Sequence, residues 1–234
     1  MTAARVRVAL VPPAPGALPA HASAAAIDVL RATTTLGWAR AHGAGRIVPF
    51  AEPAAALAFR DAQPGALACG ERDGRIVPGF DLGNSPAEYT RERVSGRTLA
   101  FASTNGSRAL LAAARCRRRW LASFANLSAV VETLASEPAG SDLWLVCAGK
   151  LGRFALEDAA CAGTIAARLA ARGATLANPE ARLAVTFACT SASDVQALVA
   201  SSDHARWLAT LGDTFAADVR ACATLDSLAH SEGW

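Results

Sequence analysis

Two stretches of this chain gather side chains that do chemistry rather than fill a core. From Gly70 to Tyr89 the sequence reads GERDGRIVPGFDLGNSPAEY, setting Glu71, Arg72, Asp73, Arg75, Asp81, Asn84, Ser85 and Glu88 among glycines and prolines. Polar loops broken in this way position reactive groups. From Ser103 it reads STNGSRAL, directly after the short apolar run Leu99, Ala100, Phe101 and before a helical pattern. A strand, a glycine turn and a helix N-terminus present free backbone N–H groups and the positive end of a helix dipole, which suits an anion. Together they point to an enzyme that handles a phosphate or a carboxylate.

A third segment, IDVLRATTTL, places Asp28 at the end of an apolar run, with Arg31, Thr33, Thr34 and Thr35 entering a helix. Ligands of open α/β sheets bind beyond the carboxyl ends of the strands. An aspartate there can hold Mg²⁺, a hard cation that takes oxygen ligands, and an arginine can grip an oxyanion with two N–H groups. The structural alternative is an Asp N-cap with a salt-bridged Arg. Haloacid-dehalogenase phosphatases carry D-x-D at such a strand end, but Leu30 stands at the second Asp position and excludes them. Cys147 and Arg153 form C-x5-R after the apolar run Leu143–Val146, the spacing of a cysteine-dependent phosphatase. There a thiolate in a loop of N–H donors would attack phosphorus. Val146 and Phe154 stand where that mechanism uses His and Ser or Thr, and a buried Cys before a glycine turn is the alternative. Glu157 and Asp158 open the next helix, as dipole-favoured acids or as metal ligands beside Asp28.

Other chemistries lack their parts. His21, His42, His204 and His230 are scattered, His204 reading as a helix-start pair with Asp203. No G-x-S-x-G elbow, Walker motif or convincing GxGxxG occurs. The chain of 234 residues has 18% charged residues and a net charge of +3, which does not indicate nucleic-acid binding. Arg115, Arg117, Arg118 and Arg119 read as a solvated helix end. Six cysteines without a CxxC pair read as buried small residues of a reduced, cytoplasmic protein. The N-terminal apolar run, broken by Pro12 and Pro13, is too short for a signal peptide, and no stretch is long enough to span a bilayer.

The elements that must position these residues alternate. Strands are expected over 5–11, 25–30, 46–50, 67–69, 97–102, 120–123 and 142–147. Helices are expected over 34–42, 53–60, 85–91, 107–115, 126–136, 156–172 and 180–200, with an ambiguous run at 183–189. Such alternation implies an α/β protein with a largely parallel sheet and right-handed crossovers.

Taken in order, IDVLRATTTL, GERDGRIVPGFDLGNSPAEY, STNGSRAL, SFANLSAV (123–130), LVCAGKLGRFALEDAACAG (145–163) and SSDH (201–204) resemble the 2-phosphosulfolactate phosphatase (ComB) family over most of the chain. The resemblance implies a Mg²⁺-dependent phosphatase acting on 2-phosphosulfolactate in coenzyme M biosynthesis, or on another 2-phospho-hydroxyacid. It implies a three-layer α/β/α fold with a parallel or mixed sheet, spanning residues 1–234 as one unit or as two sublobes meeting near 123–142, and a homodimer. The implied partner is a small anionic substrate, not nucleic acid or a membrane. Residue by residue, it carries Asp28, Arg31, Glu71 and Arg72 over as catalytic. Thr33, Thr34, Asn84, Ser85, Thr104, Asn105, Gly106, Ser107 and Arg108 bind substrate, and Asp28, Glu157 and Asp158 (or Glu71 in place of one) hold the metal. It lowers the standing of Cys147 as nucleophile, because a thiolate mechanism needs no metal. A non-catalytic binder of phosphorylated or sulfonated acids is the other class. The chain ends at Trp234, sooner after Asp226 than the family pattern leads one to expect.

Overall fold

The computed structural model describes residues 3–191, 194–231 and 233–234. In chain order its elements begin β1 (Arg5–Ala9), β2 (Ser23–Ile27), α1 (Ala32–Ala41), β3 (Ile47–Pro49), α2 (Pro53–Ala62), β4 (Leu67–Arg72), β5 (Arg75–Ile76), α3 (Arg91–Val94), β6 (Leu99–Ala102) and α4 (Gly106–Ala112). They continue with β7 (Arg118–Ala122), α5 (Leu127–Ala135), β8 (Asp142–Cys147), α6 (Leu156–Ala170), β9 (Thr175–Leu176), α7 (Pro179–Ser191), α8 (Val195–Ala200), α9 (Asp203–Ala209) and α10 (Asp213–Cys222).

One sheet runs β7-β2-β8-β1-β9 with every pairing parallel, in a register that sets Ala25 opposite Trp120 and Leu145. Its central strands are buried on both faces, so β2 (SAAAI) and β8 (DLWLVC) read as continuous small and apolar runs rather than alternating ones. Ala25, Ile27, Leu143, Leu145 and Cys147 face a core shared with α5, α6 and α7. Ala24, Ala26 and Val146 face the opposite core, shared with α1 and α4. This is the expected α/β/α arrangement. On the far side of α4 lies a second sheet, β3-β6-β4-β5, parallel except for the β4–β5 hairpin. Leu99 and Phe101 of β6 point to the core around α4, while Ala100 and Ala102 point to a small outer core under α2. Helices α8 to α10 fold back against α6 and the turn at Pro86–Glu88, which brings the C-terminal segment to the strand ends.

The differences from expectation have local causes. The strand expected over 25–30 ends at Ile27, because Thr33 Oγ1 accepts the Asp28 N–H at 2.8 Å and Thr33 N–H donates to the Asp28 carbonyl at 3.0 Å. These two bonds turn Asp28 to Arg31 into a loop. The stretch 85–91 divides into a 3-10 turn (Pro86–Glu88) and α3. The ambiguous run 183–189 lies within α7, while α8 is a separate helix and residues 192–193 lie outside the described residues. The arginine cluster is not a helix end: α4 stops at Ala112, β7 starts at Arg118, and Arg117 and Arg118 both pair with buried Glu137. All six cysteines are free; five are buried and Cys189 is exposed. No helix among the described residues is long and apolar enough to cross a membrane.

Helices α6 and α7 meet backbone to backbone at Gly163, where an added Cβ would stand 2.0 Å from the Ala184 carbonyl oxygen. No flexible side chain can move aside there, so the helices would have to separate. Gly163→Ala should therefore cost about 3 kcal/mol, seen as a Tm lowered by roughly 6–12 °C in thermal unfolding. An unchanged Tm would show that the close approach is not needed.

Candidate active site

The carboxyl ends of strands from both sheets converge on one cavity of about 320 Å³. From the first sheet come Asp28, Leu30 and Arg31 after β2, and Lys150 and Leu151 after β8. From the second come Glu71 on β4, Asp73 and Gly74 in the hairpin, and Thr104 and Asn105 after β6. Asn84 joins from the following loop, and α9 closes the cavity with His204, Trp207 and Leu208.

Asp28 is 5% exposed, and among the described residues the only N–H donor to its carboxylate is Ala32, at 3.3 Å from Oδ1. Burial pushes its pKa up to about 7, with Glu71 and Glu157 adding to the rise and His204 opposing it. Gly106 makes room for it, since a Cβ there would lie 2.6 Å from Asp28 Oδ2 and 2.4 Å from the Ala32 methyl. Thr33 and Thr34 do not line the cavity. Their hydroxyls bond to backbone, Thr33 to the Asp28 carbonyl of its own turn and the Ala122 carbonyl at the end of β7, and Thr34 to the Val29 carbonyl.

Glu71 ties the two loops of the second sheet together. Its Oε1 accepts the Thr104 N–H at 2.7 Å, and its Oε2 accepts the Gly74 N–H at 2.8 Å and the Thr104 hydroxyl at 3.2 Å. Asn105 Oδ1 accepts the Leu151 N–H at 3.0 Å and so links the turn after β6 to the turn after β8. Ser107 closes its own turn by exchanging hydrogen bonds with Ser103. Asn84 offers a buried Oδ1 with no hydrogen-bond partner.

Arg31 is buried and lines the cavity, yet both of its terminal nitrogens are engaged, Nη1 with Asp218 at 2.6 Å and Nη2 with the Gly74 carbonyl at 2.6 Å. Ser85 donates to the other Asp218 oxygen at 2.6 Å, so it supports this pair from outside the cavity. Arg72 turns away and donates to the Ala51 and Glu71 carbonyls. With Arg108 it borders a separate groove under residues 12–15.

The two acids of α6 divide their work. Asp158 binds backbone with both oxygens, from Val29 N–H at 2.8 Å and Gly149 N–H at 3.0 Å, clamping the loops after β2 and β8. Burial, with Asp28 and Glu157 nearby, holds its pKa well above the usual carboxylate range. Glu157 is 1% exposed; its Oε1 lies 3.1 Å from His204 Nδ1 and its Oε2 has no partner. His204 is thus part of the constellation and not merely a helix-start residue; Ser202 caps α9 by accepting the Ala205 N–H. The chain's spacing could not reveal this, because Glu157 and His204 are 47 residues apart. Lys150, Trp207 and Asp218 are the other residues the sequence did not single out, and the sole lysine was their only compositional signal.

Among the described residues, no three His, Cys, Asp or Glu side chains form a ready metal cage. The chemistry of the donors nevertheless suits a hard cation: Asp28 Oδ2 and the unpartnered Asn84 Oδ1 belong to residues lining the cavity, and Glu157, buried outside that lining, has an unpartnered Oε2. The cysteine reading fails on position. Cys147 is 0% exposed inside the core, its thiol is pushed far up by burial and Asp158, and Arg153 is an exposed turn residue.

Comparison with known proteins shows the family of the chain. The family model described as 2-phosphosulpholactate phosphatase matches residues 13–230. A Synechococcus (strain JA-3-3Ab) protein named probable 2-phosphosulfolactate phosphatase is 42% identical over 220 residues, 93% of this chain and 89% of its own. Proteins of the same name from Thermotoga petrophila and Thermotoga maritima are 41% and 39% identical, each over 87% of this chain and 85% of their own length. The chain belongs to the 2-phosphosulfolactate phosphatase family, whose members are phosphoric monoester hydrolases.

Proposed function

We propose that this chain hydrolyses 2-phosphosulfolactate, or a 2-phospho-hydroxyacid of the same shape, to the hydroxyacid and phosphate with Mg²⁺ as its metal. The observation that carries this reading is the cavity itself: a buried carboxylate pushed up to about 7 faces the same space as Arg31, Lys150 and His204. Acidic and cationic groups thus line one small chamber, as a metal and a multiply anionic ester require. Family membership supports the same reading. Asp28 and Glu157 would hold the metal, with Asn84 beside them. When bound, Mg²⁺ neutralises phosphoryl oxygens and eases attack by water on phosphorus.

The chain's own groups have separate tasks. Arg31, fixed by Asp218 and Gly74, sets positive charge against the phosphoryl end. Glu71 is fully engaged with Gly74 and Thr104, so it orients the cradle turn instead of activating water. His204, with Nδ1 directed at Glu157, keeps Nε2 to exchange a proton with the ester oxygen or with water. Asp158 keeps Asp28 in place by fixing Val29.

Phosphate release from 2-phosphosulfolactate tests the reading. Release should stop with EDTA, return with Mg²⁺ and persist in folded Cys147→Ser. Asp28→Asn should lower kcat by about 1,000-fold. Release that survives EDTA, or a wild-type rate in Asp28→Asn, sinks the mechanism; a ligand that binds but is never hydrolysed would make the chain a binder.

Asp28 also has a pH signature in stability. Its folded pKa of about 7 lies above the ordinary 3.8. Between those values the folded state keeps a proton that the unfolded chain releases, so this group's contribution to stability declines as pH rises through that window and levels off above it. In metal-free protein, Asp28→Asn should therefore raise Tm at pH 8 and bring a clearly smaller gain at pH 5. A gain that is the same at both pH values would show that Asp28 is not held by charge burial.

A further inference from the structure

The cavity holds one cation that the chemistry above leaves without a task. Arg31, Lys150 and His204 line it, and two are spoken for: Arg31 by Asp218 and His204 by Glu157. Lys150, the only lysine in the chain, makes no ion pair among the described residues. Its Nζ instead rests 3.8 Å from the centroid of the Trp207 ring. The turn that carries it is fixed at both ends, by Lys150 N–H to Arg153 carbonyl at 2.8 Å and by Leu151 N–H to Asn105 Oδ1 at 3.0 Å. Burial disfavours the charged ammonium, the carboxylates of Glu157, Glu71 and Asp203 offset part of that cost without forming an ion pair, and an anion brought to Nζ would relieve the remainder.

The substrate's geometry says which anion. The carboxylate shares a carbon with the phosphate ester and must stay near the phosphoryl end. The sulfonate stands one carbon farther out and can reach a different wall. It is a weak base that competes poorly for a hard cation, and it accepts hydrogen bonds from N–H donors. Around Lys150 the wall is apolar, formed by Leu151, Trp207 and Leu208, which suits the methylene next to sulfur. Resting on the phosphatase reading above, we propose that Lys150, backed by Trp207, is the receptor for the substrate's sulfonate and so decides between sulfonated and unsulfonated 2-phospho-hydroxyacids.

The test compares 2-phosphosulfolactate with 2-phospholactate, which lacks only the sulfonate. Lys150→Met should lower kcat/KM for the sulfonated ester about 30- to 100-fold, mostly through KM, and for 2-phospholactate by less than about 3-fold. Lys150→Arg should recover part of the loss. Equal losses on both esters, or no loss on either, overturn the assignment. Calorimetric titration with sulfolactate in the presence of Mg²⁺ separates this proposal from the reaction it rests on. If the wild type hydrolyses neither ester, the phosphatase reading fails, yet sulfolactate binding weakened about 30-fold or more by Lys150→Met would still uphold the receptor. Equal binding by both proteins, or no binding by the wild type, would overturn it.

Discussion

The structure depends on keeping several carboxylates together in a place with little water. Asp28, Glu71, Glu157, Asp158 and Asp218 are all buried near the strand ends. An unpaired buried charge is expensive, so each must be answered by donors that the fold provides. Asp158 takes two backbone N–H groups, Glu71 takes two and a hydroxyl, and Asp218 takes a guanidinium and a serine hydroxyl. Asp28 faces the cavity with a single long bond from Ala32, whereas Glu71, which also lines it, has both oxygens engaged. The answered acids are structural clamps, while Asp28 and Glu157, whose Oε2 has no partner, have capacity left for a ligand.

Those clamps explain how two sheets form one site. Asp158 joins the loops after β2 and β8, Glu71 joins the β4–β5 hairpin to the turn after β6, and Asn105 joins that turn to the loop after β8. The Arg31–Asp218 pair then fastens the C-terminal helix α10 to the loop after β2, with Phe215 stacked 5.0 Å from the guanidinium. Removing any one of them would leave buried N–H groups or charges without partners, so the clamps hold as a connected network.

The same network reassigns several polar residues. Thr33, Thr34 and Ser107 share the composition of a phosphate cradle, but their hydroxyls are consumed in shaping the turns that carry Asp28 and Asn105. Arg72 and Arg108 sit one residue beyond cavity-facing neighbours or on the outer side of α4, and border another groove. Short polar side chains in tight turns bond their own backbone first. Polar residue type alone therefore overstates how many side chains remain for a ligand.

The sequence by itself determined the alternating α/β order, both polar loops, and Asp28 at a strand end. These follow from short-range physics: apolar runs, glycine and proline punctuation, and caps act over a few residues. It also carried the family resemblance, through long motifs in fixed order. Only the tertiary structure decided that the strands divide into two sheets, that 180–200 is not one helix, and that His204, Trp207 and Asp218 return to the strand ends. Only it separated Glu157, with a free oxygen, from Asp158, its neighbour in sequence with none. Adjacent residues on a helix point about 100° apart, and which of them meets a histidine or a backbone N–H depends on packing partners as far as 129 residues away.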